Sequence, residues 1–264
     1  MRGDNVEDIF EYYIAEEDIH FKYAKGEPSL KGREFHDYNE VVFFIDGKSR
    51  LISKNIQQQL ECGSIVIIPQ EHFHQFCVTE PQSYVRCILG FGKKDELSEL
   101  ICNVMDSVKV ISAPEERIVR VFENVMEIIK SDLGKNEKVL FIRSSLIQLL
   151  VYFRQNCGKV IEKSTSLSPT VSKALNIIDE KYNKNLSVED IANLLYISSS
   201  SLSHKFRSEL NISVYQYISK KRLMEAHKLI KNGETLSRAA EKCGFSDYSC
   251  FYRLYKKYYK NIGT

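Results

Sequence analysis

The sequence predicts an α+β chain: a strand-rich N-terminal part backed by helices, then an all-helical C-terminal domain. Three observations carry that reading. Short apolar runs separated by turn residues fill residues 8–92, an apolar spacing of three and four takes over from Lys94, and charge divides sharply between the halves. Residues 168–264 hold 16 Lys and Arg against 9 Asp and Glu, a net of +7, while the remainder is −5, so the overall +2 conceals a basic domain joined to an acidic one. That partition is the footprint of a chain that touches nucleic acid at one end.

Composition sets the outer bounds. With 264 residues and 43% apolar content, the chain can bury two ordinary cores, which excludes disorder, collagen-like repeats and a coiled-coil rod. The opening MRGDNVEDIF is acidic and lacks an apolar segment, so no secretory signal is expected. The most apolar stretch, Leu146 to Phe153, falls far short of the ~20 residues that span a bilayer. The seven cysteines (62, 77, 87, 102, 157, 243, 250) are scattered and form no Cys-x-x-Cys pair. Free buried thiols in a reducing cytoplasm are expected, not disulfides or a zinc site.

The elements follow in order. Val41–Ile45, Ile65–Ile68 and Tyr84–Phe91 read as strands between the turns Asp46-Gly47, Cys62-Gly63 and Glu80-Pro81. Leu97, Leu100, Ile101, Val104 and Met105 mark a helix. Ile118 to Ile129 marks a second, with Pro114 near its start, and Leu140 to Phe153 a third that ends near Gly158. The segment GKVIEKSTSLSP has no period and reads as a linker over 158–169. The resulting domains are 1–92, 93–157 (helical) and 170–264. In the last, helices are predicted over Ala174–Tyr182, Val188–Leu195, Ser199–Leu210, Val214–Ile230, Leu236–Cys243 and Asp247–Tyr259. Ser187 with Asp190 forms a capping box, Ser198 and Ser246 are N-cap residues, and Gly233 and Gly244 stand where helices stop.

The C-terminal half echoes itself. Ile191-Ala192-(x)3-Tyr196-Ile197-Ser198-(x)3-Leu202-(x)3-Phe206 is answered by Ala239-Ala240-(x)3-Gly244-Phe245-Ser246-(x)4-Phe251-(x)3-Tyr255. Each copy reads as helix, tight turn and capped second helix, the grammar that presents a helix to the DNA major groove. The helix between them is about 25 Å long at ~1.5 Å per residue, long enough to hold two such helices in successive grooves.

These segments, with LSVEDIANLLYI, SLSHKFR and above all CGFSDYSCFYRLYKK, resemble the DNA-binding domain of the AraC/XylS family of bacterial transcription regulators. The resemblance covers about residues 170–260. It places Ser199, Ser200, Ser203 and His204 on the first recognition helix, and Tyr248, Ser249, Tyr252, Arg253 and Lys257 on the second. Leu202, Phe206, Phe251 and Tyr255 are expected in the core. Arg253 either grips a guanine edge or clamps a phosphate. His204 stands where the family usually has Arg, and Tyr196 where it commonly has Gly or a small residue. The usual Gly-x-Ser-Pro-x-x-Tyr-Arg continuation is replaced by Lys260-Asn261-Ile262-Gly263-Thr264, which alters the last packing turn.

The strand region resembles the two motifs of a cupin barrel in Glu34-Phe-His36-Asp-Tyr38-Asn-Glu40, Gly47 and Gly63-(x)5-Pro69-(x)4-His74. His36, Glu40 and His74 match three ligand positions of metal-binding cupins, while Glu34 replaces a His. Because most regulatory cupins of this family work without metal, no metal and no cofactor is expected, and effector hydrogen bonding or a structural role is the reading. His36, Tyr38, Glu40, His74, Tyr84 and Arg86 are the effector candidates, suited to a sugar or other polar metabolite. Strand alternation leaves two inward sets open, Tyr84/Arg86/Ile88 or Val85/Cys87/Leu89. An inward Arg86 implies a partner carboxylate, with Glu40 in reach, and an outward Arg86 is solvated.

The helix Lys138 to Gln155 resembles the family's dimerisation element, with Leu140, Ile147, Leu150 and Arg154 facing a twofold mate or, alternatively, their own barrel. The resemblance implies a cytoplasmic, homodimeric activator that binds promoter DNA and RNA polymerase under a small effector. The rival is a metal-dependent cupin enzyme with a helical tail. Regulation without any effector is a third reading. No other catalytic constellation emerges, so the chain is read as no enzyme.

The first recognition helix offers short hydroxyls and a neutral imidazole, so it should discriminate sequence less than the second. In a gel-shift assay Arg253→Ala is expected to weaken operator binding more than Ser203→Ala combined with His204→Ala, and the opposite order contradicts this reading.

Overall fold

The computed structural model describes residues 9–14, 19–26, 35, 36, 38–54, 57–92, 104, 107–156 and 167–259. Its N-terminal half is built on two antiparallel sheets. The larger one runs, in spatial order, β1 (Ile9–Ile14), β2 (Ile19–Lys25), β8 (Val85–Phe91), β3 (Asn39–Asp46), β6 (Ile65–Ile68) and β9 (Lys109–Ile111). The smaller runs β5 (Gln57–Leu60), β4 (Ser49–Ser53) and β7 (His74–Val78). Strand alternation gives the large sheet two apolar faces. Val41, Phe43, Ile65, Ile67, Cys87 and Leu89 turn toward helices, while Val42, Phe44, Val66, Ile68 and Tyr84 pack toward Leu51 and Leu60 of the small sheet. Of the two sets open for β8, Tyr84, Arg86 and Ile88 therefore lie between the sheets.

Two helices cover the outer face: α1 (Glu116–Lys130) and α2 (Lys135–Asn156). Ile118, Phe122, Val125 and Ile129 of α1, with Ile142, Leu146, Leu149 and Phe153 of α2, share one buried core with the sheet. Phe122 stacks on Phe43 at 5.0 Å between ring centroids. Two corrections to the sequence reading arise here. Residues 109–111 form a strand, paired with β6 as Val66↔Val110, so the sheet does not end at residue 92. The cause is the alternation of buried Val108 and Val110 in a short run that lacks a helical period. Leu150 is fully buried against its own chain, so it does not join Leu140, Ile147 and Arg154 on the outer face of α2. That outer face leaves Leu140 66% exposed, with Ile147 and Val151 also open.

The helix expected at Leu97–Met105 lies outside the described residues except for Val104, which is helical and buried. Linker residues 158–166 and the terminal 260–264 lie outside them as well. The five described cysteines are free thiols. Among the described residues no helix is long and apolar enough to cross a membrane.

The C-terminal half holds α3 (Pro169–Lys181), α4 (Val188–Leu194), α5 (Ser199–Leu210), α6 (Val214–Lys231), α7 (Leu236–Lys242) and α8 (Tyr248–Tyr259). Caps explain the starts. Ser168 accepts from Val171 N, Ser187 and Asp190 close a capping box, and Ser198 accepts from Ser201 N. The start of α8 differs from expectation: Asp247 and not Ser246 is the cap, its Oδ1 accepting from the Ser249 and Cys250 amides at 2.8 and 3.3 Å. A carboxylate gains more than a hydroxyl there, because it also faces the helix's positive end.

The pairs α4–α5 and α7–α8 close through one turn. Ile197 N donates to Ala192 O and Tyr196 N to Asn193 O, while Phe245 N donates to Ala240 O and Gly244 N to Glu241 O, all at 3.0–3.1 Å. This six-to-one and five-to-two pattern requires a left-handed residue after the helix. Gly244 takes it at φ 81°, and an added Cβ would lie 2.8 Å from Asn183 O. In the first pair Tyr196 takes it at φ 57° with 96% of its surface exposed.

A non-glycine residue costs about 1–2 kcal/mol in that conformation. Tyr196→Gly loses almost no packing and is expected to raise the unfolding free energy by about 1 kcal/mol after its own backbone entropy is counted. Urea denaturation checks this, and a drop in stability contradicts it.

Candidate nucleic-acid interface and sensor pocket

The basic half sets two helices outward. On α5, Leu202, Phe206 and Leu210 are buried and turn Ser200, Ser203 and His204 to solvent, with Ser199 half-buried. On α8, Phe251 is buried beneath Tyr248, Ser249, Tyr252, Arg253 and Lys257, all exposed. Tyr255 is half-buried, its hydroxyl 2.9 Å from Nδ1 of His227 on α6. The α8 face is organised by its rings: Tyr248 stacks near Tyr252 at 6.0 Å, and the Lys256 ammonium lies 4.8 Å from the Tyr252 centroid. Arg253 is exposed on this face. Lys256 was not singled out from sequence, though the run of basic residues at the end of α8 signals it.

The acidic half brings part of the effector set together. His36, Glu40 and His74 are all buried. His36 Nε2 and His74 Nε2 lie 3.2 and 3.5 Å from the same Glu40 oxygen, Oε2. Tyr38 stacks on His36 at 4.1 Å and 9°. Burial pushes the Glu40 carboxyl up, but the imidazoles of His36, His74 and His20 pull harder and bring it down to about 2, so it is ionised. Burial also drives His74 down to about 4, which keeps it neutral.

The tautomers follow from the carbonyls behind the rings. Nδ1–H of His36 donates to Tyr38 O at 2.6 Å, and Nδ1–H of His74 donates to His72 O at 3.2 Å. Nε2 of each ring therefore faces the Glu40 carboxylate, and His36 Nε2 lies within hydrogen-bonding distance of it.

His20 on β2 is a member of this cluster that the sequence reading missed. Its ring meets Tyr38 edge-on at 4.5 Å. Two signals existed: Ile19 and Phe21 alternate with it on the helix-covered face, and Gly90 stands opposite it in β8. A Cβ at Gly90 would lie 1.8 Å from the His20 ring.

Tyr84 and Arg86 do not join this group. Glu40 pairs across the sheet with Gly90 while Arg86 pairs with Phe44, four residues along β3, or about 13 Å at ~3.3 Å per residue. Arg86 is buried, but its partners are Gly26 O at 3.2 Å and the Tyr84 ring at 4.6 Å, not Glu40. Burial raises the Tyr84 hydroxyl to about 12. The position of Glu34 lies outside the described residues.

The histidine cluster adjoins the basic half. Phe35 and Phe73, the neighbours of His36 and His74, pack on Tyr217 of α6 at 5.3 and 5.1 Å, and Tyr217 packs on Phe206 of α5 at 5.7 Å. Lys54–Asp179 and Lys228–Glu71 pair across the same junction at 2.7 and 2.6 Å, and Gln57 Nε2 donates to Glu209 O.

The family model that matches, over residues 191–261, is described as a helix-turn-helix domain. The Msm operon regulatory protein of Streptococcus mutans is 27% identical over 86% of this chain and 83% of its own length. The lactose operon transcription activator of Staphylococcus xylosus is 23% identical over 65% of this chain and 63% of its own. Among solved structures, ToxT from Vibrio cholerae is 15% identical over 90% of this chain and 94% of its own, with a TM-score of 0.42.

Gly90→Ala should force the His20 ring off Tyr38 and lower stability by about 1–3 kcal/mol. Combined with His20→Ala, the same substitution should cost much less, because the clash partner is gone. Additive losses in urea denaturation contradict this packing.

Proposed function

We propose that the chain is a transcription regulator of the AraC family, an activator that reads promoter DNA with α5 and α8 under the control of a small polar effector held between its sheets. The observation that carries the proposal is the repeated helix pair in the basic half. The same turn sets both α5 and α8 outward, and their exposed faces carry the hydroxyls, rings and cations that contact bases and phosphates.

Division of labour follows from chemistry. Arg253 supplies base readout, Lys257 a phosphate contact, and Ser199, Ser200, Ser203, His204, Tyr248, Ser249 and Tyr252 position the helices. The effector occupies the polar cluster of His36, Tyr38, Glu40 and His74, with Tyr84 and Arg86 forming a separate polar end of the same inter-sheet space. A lactose-operon regulator among the relatives favours a sugar. The exposed Leu140, Ile147 and Val151 of α2 supply the face for a second copy, and bound RNA polymerase completes activation. The rival enzyme reading loses ground because relatives matching most of the chain are regulators.

Fluorescence anisotropy on the upstream DNA of its own operon tests the proposal. Affinity should fall steeply with salt, and Lys257→Ala should weaken specific and random DNA alike while reducing the slope of log K against log salt by about 1. Salt-independent binding, or no binding, contradicts it.

A further inference from the structure

We propose that Arg86, Tyr84 and Ser49 form an oxyanion-binding site at the end of the inter-sheet space away from Glu40, so that the effector carries a carboxylate or phosphate group. The effector's charge rests on the reading above that a small molecule occupies this space; anion binding at the site does not.

Arg86 is 5% exposed, and a cation taken out of water is strongly disfavoured unless negative charge compensates it. Its contacts are Gly26 O, 3.2 Å from Nη1, and the Tyr84 ring, whose centroid lies 4.6 Å from the guanidinium carbon. Neither carries a compensating charge. The buried carboxylate of the same half, Glu40, is four residues away along β3 from the partner of Arg86, and imidazoles surround it.

Buried hydroxyls gather at the same end. Tyr84 Oη, Ser49 Oγ and Ser64 Oγ have no hydrogen-bond partner among the described residues. Alternation places all three on the inter-sheet side, because Ser49 shares its face of β4 with Leu51 and Ser64 shares its side with Val66. Phe44 links two of the rows: it pairs with Arg86 on β8 and donates its amide to Ser64 O at 2.9 Å. Burial raises the Tyr84 hydroxyl to about 12, while Arg86 and Ser49 close beside it pull the other way. The hydroxyl keeps its proton at neutral pH and is a donor. A guanidinium fork with hydroxyl protons beside it is a set of donors in want of acceptors. An oxyanion supplies both the lone pairs and the charge, whereas an uncharged sugar supplies lone pairs alone.

The two ends of the space are therefore opposite in sign. Glu40 is ionised and repels an anion, Arg86 attracts one, and about 13 Å of strand at ~3.3 Å per residue separates their rows, with Val42 and Ile88 paired between. An anionic effector enters in one orientation, its charge at Arg86 and its neutral polar groups toward His36 and His74.

The test is isothermal titration calorimetry of the full chain with galactose, galacturonate, galactose 6-phosphate and inorganic phosphate, each against sodium chloride at equal ionic strength. At least one of the three oxyanions is expected to saturate one site per chain, with affinity at least about tenfold above that of galactose. Galacturonate against galactose 6-phosphate separates a carboxylate from a phosphate. Arg86→Gln and Tyr84→Phe should each weaken that binding at least about tenfold. Tyr84→Phe keeps the buried ring, and in the unaltered protein the Arg86 Nε–H resonance should move as the oxyanion saturates, so the result does not depend on variants that fold poorly. No saturable oxyanion binding, galactose or chloride binding as tightly as the oxyanions, full affinity in both variants, or an unmoved Arg86 resonance overturns the site. Saturable oxyanion binding that leaves affinity for the upstream DNA unchanged counts against effector control and not against the anion site.

Discussion

The packing of Tyr217 is the interaction on which the rest of the molecule turns. This side chain, fully buried on α6, meets Phe206 from the first outward helix and Phe35 and Phe73 from the sheet region. Burial lifts its hydroxyl well above the ordinary tyrosine range. Aromatic clusters of this kind combine large apolar area with preferred ring geometry, each pair being worth about 0.5–1.5 kcal/mol beyond area. One ring thus belongs to the core of the basic half and to the junction with the acidic half. Ile52 and Leu167 lie in the same cluster, so the junction is part of a continuous core and not a surface contact.

Electrostatics follow the same division. Among the described residues the acidic half buries Glu40 among imidazoles and Arg86 against Gly26 O and the Tyr84 ring, and the basic half keeps its cations on the surface or pairs them locally. Arg222 illustrates the second strategy: it donates to Tyr182 O and Lys184 O, tying the end of α3 to α6. The ion pairs Lys54–Asp179 and Lys228–Glu71 join the halves at their rim. Partly exposed pairs of this kind add little stability and mainly fix register.

Much of the helical half was legible in sequence because its signals are local. Ser199–Leu210 has the predicted bounds, and Ser187, Ser198 and Gly244 mark boundaries by capping chemistry that acts over three or four residues. Pairing in the sheets was harder. SRLIS at 49–53 and QQQL at 57–60 carry few apolar residues, yet both are strands, because each forms a backbone ladder and a core needs only Leu51 and Ile52 from the one and Leu60 from the other. The short strand 109–111 was hidden for the same reason. In the pocket, motif spacing found His36, Glu40 and His74, whereas His20 is brought in by strand pairing with Gly90 across 70 positions and leaves no motif. The split between Glu40 and Arg86 is also a matter of register, which composition does not reveal. The interdomain contacts join residues more than a hundred positions apart, such as Gln57 and Glu209, and no local pattern announces them.

Hydrogen exchange across α5 and α6 examines the central claim, that the sheet region and the helices of the basic half share one core through Tyr217. In a Phe35→Ala, Phe73→Ala variant, amides in the first turns of α6 and in α5 around Phe206 should lose protection while those of α7 and α8 hold theirs. Unchanged exchange in α5 and α6 contradicts the account.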